Sequence, residues 1–253
     1  MKRNKPIREK TKETIVFCLG ILLVGILIQV AGWLKGDRLV FPDVAEILRA
    51  FVRLLGQEIT WRRIGTTLMH LLEALLAAGT IGLGLGLLQG RSRTVYTLLK
   101  PTMIFLRTIP MIVMAVIIMV LAPYPRVPLI ATTLMLIPLI SEATCEGFRR
   151  IEPELVDVYR MNSGFNALVL FRVYLPLMAG YLKQACVNAV GMGIKLVVTT
   201  EYLVQTRDSL GKAVYSSSYF NEYEDIYAYA LIVVLLALAV SGIPALLAQD
   251  RRK

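Results

Sequence analysis

Apolar residues in this chain gather in runs of membrane-crossing length. Residues 14–34 (TIVFCLGILLVGILIQVAGWL) carry no charge across 21 positions, about the length that crosses a hydrocarbon core of about 30 Å as a helix. Further runs at 64–89, 96–122, 127–147, 174–200 and 226–248 predict five more spans. Between the first and second runs, PDVAEILRAFVRLL places Val44, Ile47, Leu48, Phe51, Leu54 and Leu55 on one side of a helix. The segment 35–63 is therefore expected to lie along the outer membrane face. Proline interrupts two runs: Pro101, Pro110 and Pro123 in the third, Pro128 and Pro138 in the fourth. Both spans should kink, since proline donates no hydrogen bond and crowds the preceding turn. The expected class is all-α, a polytopic membrane protein of about six spans.

Composition supports that class. The 253 residues are 56% hydrophobic and 18% charged, with a mean hydropathy of +0.63, which excludes a disordered or nucleic-acid-binding tail protein. The net charge of +10 does not call for a nucleic-acid partner, because the basic residues collect beside the apolar runs and so report topology. With both termini inside, fifteen basic residues fall on inner segments and nine on outer ones. This bias predicts cytoplasmic ends, with a basic N-terminus at 1–13 and a basic C-terminus at 251–253. The first run is too long for a signal peptide and lacks a small-x-small cleavage site, so it is expected to be retained. Cys18, Cys145 and Cys186 lack CxxC spacing, and neither a metal site nor any cofactor is expected.

Some positions carry packing. Ala74, Ala78, Gly82, Gly86 and Gly90 recur every four residues, making a smooth face on which another helix can approach closely. GLGLGLLQG lacks the Lys-Ser or Lys-Thr of a phosphate loop, and no G-x-x-x-x-G-K-[ST] occurs anywhere. Any use of ATP must reside on another subunit, and the chain is not expected to be an enzyme. The single histidine, His70, has Glu73 one turn on, a packed pair with no nucleophile beside it.

Other positions are candidates for a solute pathway. Gln184, Asn188, Gly191 and Lys195 share a face of the fifth predicted span, and a polar face in lipid needs protein or a hydrated cavity. A charge at membrane depth costs at least ~2.5 kcal/mol. Lys195 either snorkels toward the outer surface near Glu201 or offers a positive charge to an anionic solute. Glu73 poses the same question with opposite sign; an ion pair with Lys100, Arg107 or Lys195 is expected rather than a proton relay. The outer segment from Tyr215 to Tyr229 is rich in tyrosine and acid, either an aromatic belt or a docking surface for an extracytoplasmic partner.

The inner segment at about 149–172 mixes charge with apolar residues. Pro153 suits a first helical turn, Leu155, Val158, Tyr159 and Met161 give an apolar side, and Gly164 stops the helix. A short amphipathic helix of this kind fits a groove in a cytoplasmic protein.

This segment resembles the signature loop of bacterial ABC importer permeases, which reads E-A-A, three residues, Gly, nine residues, Ile, one residue, Leu-Pro. Asp157-Val158-Tyr159 stands at the E-A-A place, Ser163 at the Gly place, Val173 at the Ile place, and Leu175-Pro176 closes the motif. Gly164 takes over the turn one position late. The resemblance covers about residues 40–250 and is nearest the nitrate, sulfonate, taurine and thiamine-precursor group. FPDVAEIL resembles its segment before the second span, Leu106-Arg107-Thr108-Ile109-Pro110 its Leu-Arg-x-Ile-Pro, and Val197 to Glu201 followed by Leu210-Gly211 its fifth-span exit. The group's Trp-Phe-Gly after the third span is replaced by VLAPYPRVP.

The resemblance implies a type I ABC importer permease with a core at 64–250, in a bacterial inner membrane. It implies a second permease subunit, expected as a homodimer, two ATP-binding cytoplasmic subunits and an extracytoplasmic solute-binding protein. Glu154, Leu155, Asp157, Val158, Tyr159, Arg160, Met161, Ser163 and Gly164 are then the residues that couple to the ATPase. Gln184, Asn188, Lys195, Glu73 and Arg107 are the pathway candidates. An ion-coupled secondary transporter is the alternative, although the halves show no internal repeat.

Overall fold

The computed structural model describes residues 42–151 and 169–249, with side chains through residue 242. The predicted first span, both terminal segments and the centre of the loop at 149–172 lie outside the described residues. Every described element is helical: α1 Val44–Leu55, α2 Glu58–Arg91, α3 Arg93–Thr108, α4 Met111–Leu121, α5 Val127–Arg149, α6 Ala179–Val204, α7 Leu210–Tyr219 and α8 Tyr223–Gln249, with short turns at Tyr124–Arg126, Leu170–Tyr174 and Leu175–Leu177. Four are long and apolar enough to cross a membrane, and the pair α3 and α4, bent by 104°, makes a fifth if taken as one broken span.

The seam between α2 and α5 forms the centre. Gly82 lies against Ile140, Gly86 against Ser141 and Thr144, and Gly90 against Phe148, so the four-residue repeat meets a parallel neighbour in register. At Gly86 a Cβ would sit 2.5 Å from the Thr144 Cβ and 2.6 Å from the Ser141 carbonyl oxygen. Only glycine lets the backbones come this close. On α6, Gly193 similarly admits Leu71 of α2. The main core joins Ala78, Met114, Ile118, Val127, Leu136 and Ala189 across α2, α4, α5 and α6.

These contacts define two ends. One, the Arg149 end, holds the last turns of α2 and α5, where Arg149 donates to the Gln89 carbonyl oxygen at 3.1 Å and lies 4.2 Å over the Tyr96 ring. The chain returns through Leu170–Tyr174, a π-turn. Pro176 has no N–H to give Arg172, and the turn widens so that Leu175 donates to the Leu170 carbonyl instead. Tyr174 stacks on Phe148 at 5.0 Å and anchors that return.

The opposite end, the α1 end, packs Ala50, Leu54, Ile64, Leu210, Ala213, Ala228, Tyr229 and Ile232 together. α1 begins with the Asp43 N–H donating to the Glu46 carboxylate at 2.9 Å, a reciprocal cap. Leu54 is buried, whereas Val44 and Leu48 of the predicted stripe are exposed, so α1 seats its C-terminal half on α7 and α8. Arg53 pairs with Asp225 and Glu224 across that contact. Burial works against its charge, but the two carboxylates hold the Arg53 pKa above the ordinary guanidinium value.

The third predicted span departs from a simple kinked helix. Pro101 sits inside α3 without ending it, while Ile109 and Pro110 are both extended. The residue before a proline avoids the helical region, and Met114, Ala115 and Ile118 of α4 are then buried.

Candidate functional site

A buried carboxylate organises the α1 end. Glu201, in the last turn of α6, has 0% exposure. Its Oε2 accepts from the Thr67 hydroxyl at 2.8 Å and from the Gly211 N–H at 3.2 Å, and its Oε1 lies 2.8 Å from Nδ1 of His70. Thr67 Oγ1 in turn accepts from the Leu210 N–H at 3.1 Å. Three helices thus meet in one cluster: α2 through Thr67 and His70, α6 through Glu201, and α7 through the Gly211 N–H to Glu201 and the Leu210 N–H to Thr67. A desolvated carboxylate needs this many donors. Gly211 fits because α7 begins directly on α6; a Cβ there would lie 2.5 Å from Glu201 Cβ, Tyr202 N and the Val198 oxygen.

This arrangement corrects one expectation. His70 pairs with Glu201 rather than with Glu73. Lys195 is exposed, which leaves both of its readings standing, and Glu201 is engaged by Thr67, His70 and Gly211. Nor does Glu73 pair with Lys100, Arg107 or Lys195: Arg107 binds Glu142 of α5 through one nitrogen, at 2.9 and 3.2 Å to the two oxygens. Glu73 has no ion pair among the described residues.

Among the described residues, two of the cavities are lined by pathway candidates. Near the α1 end, about 650 Å³ is lined by Gly65, Met69, His70 and Glu73 of α2 and by Pro125, Arg126 and Leu129. Toward the Arg149 end, about 500 Å³ lies between α3 and α5, with Tyr96, Lys100, Arg107, Glu142, Arg149 and Arg150 on its walls. The remaining pathway candidates share the outward face of α6. Gln184 donates to the Asn188 side chain at 3.0 Å, and Gln184, Asn188 and Lys195 are all exposed on a helix whose opposite face is buried.

The aromatic segment from Tyr215 to Tyr229 divides. Tyr215, Tyr219 and Phe220 form a run of touching rings that starts at Tyr202, with Tyr219 and Phe220 exposed. Tyr229 is instead core, 2% exposed, and accepts from Arg63. The expected coupling residues Glu154, Leu155, Asp157, Val158, Tyr159, Arg160, Met161, Ser163 and Gly164 lie outside the described residues. No cluster of three or more metal-binding side chains occurs among the described residues.

Sequence reasoning missed Glu201 and Glu142. Each has a signal in hindsight: Glu142 is a charge inside a predicted span, and Thr67 and His70 present polar atoms on the helix face that carries Leu71 and Ala74 inward.

Residues 80–253 match the family model described as "Binding-protein-dependent transport system inner membrane component". The chain is 24% identical over 179 residues to a glycine betaine/carnitine transport permease protein of Listeria monocytogenes serotype 1/2a, a match spanning 70% of this chain and 63% of that relative. It is 22% identical over 240 residues to a Brucella melitensis biotype 1 protein described as "Probable ABC transporter permease protein", spanning 92% of this chain and 96% of the relative. The fold is shared with the MetNI methionine ABC transporter in inward-facing conformations, at a TM-score of 0.63 and 16% identity over 79% of this chain and 96% of that one. It is also shared with a bacterial ABC transporter that imports the acidic polysaccharide alginate, at a TM-score of 0.69 and 14% identity over 97% and 99% of the two chains.

Proposed function

Because the chain belongs to the family of binding-protein-dependent transport system inner membrane components, we propose that it forms the solute pathway of an ATP-driven importer and is worked through the segment Glu154 to Gly164. The family match over 80–253 carries this reading. ATP hydrolysis falls to separate cytoplasmic subunits, and an extracytoplasmic binding protein delivers the solute, a small molecule of the anionic or thiamine-precursor-like class. The segment from Glu154 to Gly164 packs into an ATPase groove, so closure of the ATPase pair moves the spans. A ligand shifts such an equilibrium only through different affinities for its two states, so the coupling helix makes different contacts in each nucleotide state.

The pathway runs along α6. Gln184, Asn188 and Lys195 face away from their own bundle, and a lysine turned to lipid is costly; a second permease subunit, expected to be another copy, gives that face a hydrated partner. The Arg149 end is assigned to the cytoplasm, which puts both termini and the coupling segment there. Replacing Tyr159 or Met161 by aspartate should abolish solute-stimulated ATPase activity in the assembled complex while leaving membrane insertion intact. Unchanged stimulation would remove the coupling role from this segment.

A further inference from the structure

We propose that the cavity near the α1 end is a binding site for a small zwitterion, with Glu73 taking its cationic end and Arg126 its anionic end. This deepens the proposed importer reading and rests on it. The observation is a pair of opposite charges that share a cavity and leave each other alone. Glu73 lies on the α2 wall, on the same face as Gly65 and Met69, and Arg126 lies at the turn that opens α5. Neither forms an ion pair within 4 Å with the other or with any described residue, while His70, which lines the same cavity, is committed to Glu201.

A carboxylate within a membrane-crossing helix is costly unless it meets water or a cation. Here it lines an open cavity that Arg126 lines as well. About 650 Å³ lies in the range of small-molecule sites. Gly65 brings no side chain to the wall, and Met69, Pro125 and Leu129 add apolar surface to the lining. His70 strengthens the site from behind: Glu201 holds its Nδ1, and its other ring nitrogen has no partner among the described residues. A lone cation would satisfy Glu73 and leave Arg126 unused; a lone anion would do the reverse. A solute carrying both charges uses both walls.

The test is ligand-induced thermal stabilisation of the full chain, purified in nanodiscs, with three zwitterions: glycine betaine, taurine and L-methionine. Choline, which lacks the carboxylate, and 3,3-dimethylbutanoate, which lacks the cationic charge, are the size-matched controls. At least one zwitterion should give a saturable upward shift. Its apparent affinity should exceed that of either control by at least about tenfold and fall by a similar factor in Glu73→Gln and in Arg126→Gln. No saturable shift from any of the three, equal binding of a control, or a shift unchanged in both variants would overturn the site. Should one variant fail to fold, the other variant and the controls on the unaltered chain decide. Failure here leaves ATPase coupling intact, whereas loss of coupling leaves these shifts in place, so the two readings fail separately.

Discussion

Within the α2 and α5 seam, Gly86 and Gly84 differ by half a turn and by everything that follows from it. A side chain at Gly86 meets Thr144 and the Ser141 carbonyl at once, whereas at Gly84 nothing lies within 4 Å. Gly86→Leu should therefore destabilise the protein by about 3 kcal/mol or more, and Gly84→Ala should stabilise it by a few tenths through helix propensity. Melting of the two variants in the same detergent checks this, and equal melting temperatures would contradict the seam. The glycine face was legible in the sequence because it depends on one helix's own period. Glu201 was not, because its partners Thr67 and His70 stand more than 130 positions away. Glu201→Ala strands a buried hydroxyl and a buried backbone N–H and frees the partly exposed His70 ring, and should cost about 3 kcal/mol. Glu201→Gln should recover part of that, since its amide oxygen still accepts; an alanine variant that melts with the parent would refute the cluster's structural role.

At the scale of elements, the break between α3 and α4 separates what proline says from what packing decides. Pro101 and Pro110 read alike in the sequence, as two kinks. Pro101 is tolerated inside α3, on an exposed face, whereas Pro110 precedes a segment whose Met114, Ala115 and Ile118 find a core across the turn. The 104° bend is thus held by burial of α4 as well as by the proline, and Pro110→Ala should leave it in place. Spin labels at Leu98 and Val120, 72% and 83% exposed, read this directly. Two arms at that angle put their Cα atoms about 20 Å apart, against about 33 Å for one straight helix at 1.5 Å per residue. A distance near the longer value in Pro110→Ala would mean that proline alone makes the bend. α1 teaches the complementary lesson. Its amphipathic stripe was legible, but which half of the stripe is covered depends on α7 and α8, elements about 160 positions later.

Across the whole molecule, four of the spans were readable from apolar length, since a bilayer imposes that length on any crossing helix, whereas the run at 96–122 folds as two helices bent by 104°. Family membership was readable from a resemblance to the family's loop spacing, and the family match over 80–253 bears out the membership. Side-chain partnerships at the two ends were not readable: hydropathy fixes where a charge is costly but not which neighbour relieves the cost. The central claim is that this bundle has no engine of its own and moves solute only when an ATPase grips it from the cytoplasm. The most direct measurement is uptake into sealed proteoliposomes holding this chain, with and without its ATPase subunits, with the binding protein supplied outside and ATP inside. The account predicts accumulation against a gradient only when ATPase and ATP are both present. Accumulation by the chain alone, driven by an imposed ion gradient, would contradict it.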